Sequence, residues 1–129
     1  MRKILLVEDN EANRDMLSRR LAKRGYQVVM AVDGLEAIKQ AVEEGPDLIL
    51  MDLSLPNVDG FEASQRIRAM ASTAHIPVIA LSAHVLSFNH QMALDAGCND
   101  YETKPIDLKR LILKMETLLS YGNIEVVSQ

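Results

Sequence analysis

The stretch Leu48-Ile49-Leu50-Met51-Asp52 decides the fold of this 129-residue chain. The short apolar run predicts a fully buried strand over residues 47–51. Asp is depleted in strands and fits poorly on a buried, pleated surface, so Asp52 is an unusual residue to find at the end of the run. A carboxylate at the carboxyl end of such a strand lies in the crevice where open α/β sheets bind ligands. A simpler alternative is an Asp that caps a loop or the next helix.

Other apolar runs of the chain end in the same way. The run Ile4–Val7 is followed by Glu8 and Asp9, the run Val78–Leu81 is followed by Ser82, and Lys104-Pro105 closes a short fourth segment. Acids, a hydroxyl and an amine therefore follow the ends of strands. Because a parallel sheet brings the carboxyl ends of its strands to one rim, we expect these side chains to converge.

Strand and helix patterns alternate along the whole chain. Strands are predicted at 3–7, 27–31, 47–51, 77–81 and 99–103, and helices at 11–24, 34–44, 59–70, up to about 96, and after 107. Five such pairs predict an α/β fold with a doubly wound parallel sheet covered on both faces. The first, third and fourth strands are apolar throughout and the other two are mixed. This pattern favours the strand order 2-1-3-4-5, with the mixed strands at the edges.

The composition limits the classes of function. A hydrophobic content of 48% with 25% charged residues is typical of a soluble globular domain. Cys98 is the only cysteine, which excludes an internal disulfide and suits a reducing cytoplasm, where we expect the protein to act. No apolar stretch approaches the roughly 18 residues of a membrane span. The net charge of −4 argues against nucleic acid as the main partner.

The converging residues suit phosphoryl transfer. Glu8, Asp9 and Asp52 repel one another at close range, and a bound hard cation such as Mg²⁺ relieves that repulsion. Asp carboxylates are known nucleophiles that form aspartyl phosphates. Lys104 offers a point charge for phosphoryl oxygens, and Ser82 offers a hydrogen-bond donor. Transfer of a phosphoryl group requires little more than positioning and charge neutralisation.

These motifs make the chain similar to a known family. Over residues 2–120 it resembles the receiver domain of bacterial two-component response regulators, the CheY-like phosphoacceptor. The resemblance rests on Glu8-Asp9, on Asp52 with Leu55-Pro56 three residues later, on Ser82-Ala83 and on Lys104-Pro105. It implies a flavodoxin-like fold of five βα units and a signalling switch that accepts and loses a phosphoryl group, rather than an enzyme.

The resemblance also implies roles for the acidic residues. Asp52 would accept the phosphoryl group. Asp9, Asp52 and the backbone carbonyl of Ser54 would bind Mg²⁺, with Mn²⁺ as a substitute, and Glu8 would act in the outer shell through water.

Further roles follow from the resemblance for residues around the acids. Ser82 and Lys104 would bind the phosphoryl group, and Tyr101 would be the aromatic switch residue. The Lys104–Pro105 peptide bond is expected to be cis. Ser54 and His84 would flank the route of the attacking water and tune the lifetime of the phosphate. Ser82 as a helix cap and Tyr101 as an ordinary edge aromatic remain open alternatives.

The resemblance further implies partners. Residues 1–120 are expected to form the receiver domain and 121–129 a short C-terminal tail. The donor would be a histidine kinase or a histidine phosphotransfer protein, and the readout would lie on the face of the fourth helix, fifth strand and fifth helix. We expect a monomer or weak dimer that binds no DNA and no membrane. A receiver cut from a hybrid kinase or a larger regulator is the rival interpretation.

Other classes of protein fit the sequence less well. A phosphatase of the haloacid dehalogenase type would carry a second Asp where this chain has Ser54. A flavin or nucleotide carrier would have a Gly-, Ser- or Thr-rich first loop, which here is acidic. A receiver-like scaffold that takes no phosphate would not need the complete set of acceptor residues.

Some residues are interpreted in structural terms alone. We expect four methionines to fill the core: Met16, Met30, Met51 and Met115. We expect His84 and His90 to lie on the surface, and the basic face of the first helix to be solvated or to bind a partner.

Overall fold

The structure is a parallel sheet between two layers of helices. It is a computed structural model that describes residues 1–83 and 87–127, without the side chains of 87–89 and 121–127. The strands are β1 (Lys3–Val7), β2 (Gln27–Ala31), β3 (Leu48–Asp52), β4 (Val78–Ser82) and β5 (Asp100–Thr103). The helices are α1 (Glu11–Lys23), α2 (Gly34–Glu44), α3 (Gly60–Ala69), α4 (Ser87–Asp95) and α5 (Leu108–Val127). All strand pairs are parallel and their order is β2-β1-β3-β4-β5, which confirms the predicted topology.

Two apolar clusters hold the layers together, one on each face of the sheet. Side chains alternate along β3, so that Ile49 and Met51 pack in the cluster under α2, α3 and α4, while Leu48 and Leu50 pack in the cluster under α1 and α5. All five residues of β3 are buried. Full burial of one aliphatic side chain stabilises a fold by about 1.5–3 kcal/mol, so the central strand is held firmly in place.

Side-chain caps fix where the helices begin. Asn10, Asp33 and Asp59 each accept a hydrogen bond from the backbone amide three residues later, and Asp107 does the same for Arg110. Each such cap stabilises a helix by about 1 kcal/mol. The helices that begin after Asn10 and Asp107 follow the segments that contain the acids Glu8 and Asp9 and the base Lys104.

The structure shifts two strands by one residue relative to the prediction. β3 ends at Asp52 and β4 at Ser82, so both polar residues lie inside the sheet rather than after it. The reason is that the backbone ladder continues: the amide of Leu53 donates to the carbonyl of Leu81 over 3.1 Å. The backbones of Asp52 and Ser82 are therefore fixed by the sheet itself.

The interpretations of three residues, Met16, Met30 and His90, were wrong. Met16 and Met30 are 49% and 44% exposed, whereas Met51 and Met115 are fully buried as predicted. The helical spacing of α1 could not show that Met16 would line an open groove, and Met30 lies on the edge strand β2. His90 is half-buried against Tyr101 rather than a surface residue.

α5 continues to Val127, into the segment 121–129, so the division between a domain and a short tail stays a prediction. None of the helices within residues 1–83 and 87–127 is long and apolar enough to cross a membrane.

Candidate functional site

Three carboxylates converge at the carboxyl ends of β1 and β3. Oxygen atoms of Glu8, Asp9 and Asp52 all lie within 4.8 Å of one another. Glu8 and Asp52 are each only 4% exposed, whereas Asp9 faces solvent. The juxtaposition arises because β1 and β3 are neighbours, with Val7 paired to Met51 in the sheet. The sequence predicted this convergence from the strand order.

The Asp52 carboxylate is held at both of its oxygens. Oδ1 accepts a hydrogen bond from the amide of Ser54 over 3.0 Å, and Oδ2 accepts one from Lys104 Nζ over 3.3 Å. The pKa of Asp52 is raised to about 6, mainly by burial and in part by the charge of Glu8, against the opposing effects of the Ser54 amide and Lys104. The negative form of Asp52 is therefore costly in the absence of a further positive charge.

Lys104 bridges the two buried acids. Its Nζ donates to Glu8 Oε1 over 2.9 Å as well as to Asp52. Burial alone would raise the pKa of Glu8, but the bonds from Lys104 and from the Asn10 amide lower it overall. Burial opposes the charge on Lys104, yet the two carboxylates raise its pKa. The Lys104 ammonium is thus shared between the carboxylates of Glu8 and Asp52. The sequence did not predict this double contact.

The loop after β1 is fixed by an arginine that sequence reasoning missed. Arg14 Nη1 donates to the backbone carbonyl of Glu8 over 2.9 Å and to that of Asp9 over 3.4 Å. Its partners are backbone atoms, which leave no signal in residue type or spacing. Arg14 therefore supports the acidic loop rather than only forming part of a solvated basic face.

The loop after β3 approaches Asp52 through a glycine. A Cβ atom at Gly60 would lie 2.2 Å from the carbonyl oxygen of Asp52, so any other residue would force α3 and β3 apart. The same loop is tied to α2, because Asn57 Nδ2, on a residue with φ 67°, donates to Asp33 Oδ2 over 3.0 Å. Ser54 lies exposed in this loop, two residues from Asp52.

The other predicted site residues lie on β4 and β5. Ser82 is buried and paired with Thr103, and its carbonyl accepts the Lys104 amide over 2.7 Å. The Lys104–Pro105 peptide bond is cis, as the resemblance implied. Tyr101 is half-buried against the cluster under α4. His84 lies outside the described residues.

The acidic group suits a divalent cation. Three carboxylates, Glu8, Asp9 and Asp52, face one ammonium, Lys104, which leaves an excess of two negative charges (three minus one). Carboxylate and carbonyl oxygens are the ligands that Mg²⁺ prefers, and an exposed Asp9 leaves one side of the group open to water and phosphate oxygens. The residues present therefore fit a magnesium ion.

A groove of about 600 Å³ opens beside the acids, between α1 and the segment after β5. Its walls combine apolar and charged side chains: Glu8, Asn13, Met16, Leu17, Arg20, Leu81, Lys104, Pro105 and Ile106. Because Glu8 and Lys104 belong to both the groove and the acidic site, a molecule lying in the groove would be next to Asp52.

Comparison with known proteins identifies the family. The family model of the response regulator receiver domain matches residues 4–116. The chain belongs to this family. It is 38% identical to the polar-differentiation response regulator DivK of Brucella ovis, over 92% of this chain and 94% of DivK. It is 41% identical to the DNA-binding dual master transcriptional regulator RpaA of Synechocystis sp., also over 92% of the chain, but spans only about half (49%) of that relative.

A solved structure supports the same assignment. The receiver domain of the sensor histidine kinase PA1611 from Pseudomonas aeruginosa PAO1 is 37% identical, with a TM-score of 0.86 over 92% of this chain and 97% of that domain. That structure has a magnesium ion coordinated in its active-site cleft. The chain is thus a receiver domain with a phosphoacceptor role in signalling, and its acidic cluster is compatible with a metal ion.

Proposed function

We propose that Asp52 is the residue that accepts the phosphoryl group. The observation that carries this proposal is the position of its carboxylate, buried at the end of the central strand and held by the Ser54 amide and by Lys104. Glu8 is engaged by Lys104 and by the Asn10 amide, and Asp9 lies exposed on the loop. Of the three acids, Asp52 is therefore the one that belongs to a strand, so that the sheet fixes its backbone.

The transfer reaction follows from this geometry. A carboxylate oxygen of Asp52 attacks the phosphorus of a phosphohistidine, the P–N bond breaks as the new P–O bond forms, and the histidine nitrogen keeps the electron pair. Lys104 exchanges its contact with Asp52 for a phosphoryl oxygen while keeping its bond to Glu8. Ser82, buried on the neighbouring strand, donates to a second phosphoryl oxygen.

The proposed magnesium site consists of Asp9, Asp52 and the backbone carbonyl of Ser54, with Glu8 in the outer shell. The convergence of the three carboxylates supports it. When bound, Mg²⁺ (or Mn²⁺) would neutralise the charge of the incoming phosphoryl group. Loss of the phosphoryl group by hydrolysis returns Asp52 to its free form, so the protein acts as a switch rather than as an enzyme with an external substrate. Ser54 and His84 are the proposed lifetime-tuning positions.

The proposed donor is a histidine kinase or a histidine phosphotransfer protein that docks on α1. The groove beside Asp52 supports this choice, because it combines the apolar surfaces of Met16 and Ile106 with the positive charge of Arg20. An amphipathic helix with an acidic flank would match such a groove. The proposed output is a phosphorylation-dependent contact with a second protein on the α4–β5–α5 face, made by a monomer or a weak dimer.

The experiment that tests this function measures phosphoryl uptake from acetyl phosphate in Mg²⁺. Intact-protein mass spectrometry should show one phosphoryl group on the natural protein and none on Asp52→Asn. Asp9→Asn should take up the group only at much higher Mg²⁺ concentrations, whereas Asp15→Asn, an exposed acid on α1, should behave like the natural protein. Equal uptake by Asp52→Asn, or uptake that is unchanged by a metal chelator, would contradict the proposal.

A further inference from the structure

The rings of His90 and Tyr101 stack where α4 meets β5. Their centroids are 3.7 Å apart and their planes differ by 18°. Tyr101 also packs on the apolar cluster that contains Ala80, Ala93 and Cys98. The pair therefore joins a helix on the outside of the fold to a strand of the sheet through one ring contact.

The stacked rings lie two residues along the sheet from Ser82, the proposed phosphate-binding residue of β4. Tyr101 is paired with Ala80 across β4 and β5, and the next pair along the same face is Thr103 with Ser82. A shift of Ser82 toward a phosphoryl group would therefore change the packing of the neighbouring pair, which carries Tyr101. His90, on α4, stacks on this ring.

The contacts of the two rings indicate what holds them. Lys114 Nζ lies 5.1 Å from the centroid of the Tyr101 ring and donates to the Tyr101 carbonyl. His90 Nε2 is buried and has no hydrogen-bond partner among the residues that the structure describes. Stacking on Tyr101 therefore holds the imidazole in this position. In the structure that contains this stack, Lys104 Nζ donates to Asp52 Oδ2.

We propose that His90 is a positioning residue that restrains Tyr101 in the arrangement that accompanies unmodified Asp52. This inference rests on the proposed phosphoacceptor function. His90 does not touch the reacting atoms; it sets how readily the acidic site and the Tyr101 face change together. By linkage, a contact that stabilises one arrangement weakens the binding of any group that favours the other by the same factor.

The test is a titration with trifluoroberyllate, a mimic of the phosphoryl group, in excess Mg²⁺. We expect His90→Ala to bind it roughly 2- to 10-fold more tightly than the natural protein, which is the range expected for one lost aromatic contact. His90→Phe keeps a stacking ring without nitrogen and should restore the natural affinity to within about 2-fold. His75→Ala, the same substitution at an exposed histidine between α3 and β4, should have no effect.

Two outcomes would overturn the inference. One is unchanged or weaker binding by His90→Ala, and the other is a His90→Phe variant that behaves like His90→Ala. Failure of the natural protein to bind trifluoroberyllate at all would instead contradict the proposed function. If His90→Ala does not fold, NMR contacts between the two rings in the natural protein decide: they should weaken when trifluoroberyllate binds, and persistence at full strength would refute the restraint.

Discussion

Asp52 is a buried carboxylate whose ordinary charged form is unfavourable in the metal-free fold. Burial raises its pKa to about 6 from a usual value of 3.8, even though Lys104 and the Ser54 amide favour the charge. When folding raises the pKa of a carboxyl group, that group contributes its full stabilisation of the fold only at pH values below its pKa in the unfolded chain. That contribution is lost as the pH rises through the folded value, because the charge must then be buried.

The first prediction concerns Asp52→Asn in the presence of a chelator. At pH 7.5 the substitution should increase the free energy of unfolding by about 1–3 kcal/mol, because it removes a buried charge. The gain should shrink as the pH falls from 7 to 4, where Asp52 becomes protonated. Urea denaturation over this pH range measures it, with the exposed Asp15→Asn as control. A gain that is independent of pH, or a loss of stability, would contradict this account of Asp52.

The loop elements around Asp52 determine its position as much as the strand does. Gly60 lets α3 approach the carbonyl of Asp52 more closely than any side chain would permit. Arg14 holds the loop after β1 by its backbone carbonyls, and Asn57 ties the loop after β3 to the start of α2. These contacts place the acids relative to one another before any ligand binds.

At this scale, we predict that Gly60→Ala damages the proposed metal site as well as the fold. The added Cβ meets backbone rather than a flexible side chain, so overpacking should cost about 1–3 kcal/mol and displace Asp52. Mg²⁺ affinity should fall at least several-fold, as measured by titration. Gly45→Ala is the control, since its Cβ meets no atom within 4 Å and only its left-handed backbone is strained. Equal Mg²⁺ affinity in the two variants would refute the role of Gly60.

A second prediction at the scale of elements concerns α1 as the proposed docking surface. Arg20→Glu should slow phosphoryl transfer from a phosphorylated histidine protein at least several-fold, because Arg20 lines the groove beside Lys104. Phosphorylation by acetyl phosphate should be unchanged. Arg19→Glu is a useful comparison, since Arg19 pairs with Asp15 and is absent from the lining of the groove. If Arg20→Glu slowed phosphorylation by the histidine protein and by acetyl phosphate to the same extent, the defect would lie in the acidic site instead.

On the scale of the whole molecule, the sheet order and the convergence of the acids could be predicted from the sequence. The apolar runs ending at Val7, Met51 and Leu81 identify central strands, and parallel topology then brings Glu8 and Asp52 together. The stacking of His90 on Tyr101 could not be predicted, because α4 has little amphipathic pattern to show which side faces β5. The contacts of Arg14 with the loop after β1 could not be predicted either, because its partners are backbone carbonyl groups.

The charge of the whole molecule leads to a prediction about nucleic acid. With a net charge of −4, the chain should show no more than weak, non-specific DNA binding. Gel-shift assays of the phosphorylated and unphosphorylated protein with duplex DNA, at low micromolar concentration and low salt, measure this. A salt-sensitive shift that appears on phosphorylation would contradict the prediction and indicate a nucleic-acid surface.

The most direct test of the central claim is to locate the phosphoryl group on the chain. The protein is phosphorylated with acetyl phosphate and Mg²⁺, the acyl phosphate is reduced with borohydride, and the reduced residue is found by peptide mass spectrometry. We predict that reduction converts Asp52 to homoserine and leaves Glu8 and Asp9 unchanged. Reduction at either of those acids with Asp52 intact would contradict the assignment of the buried strand-end carboxylate as the phosphoacceptor.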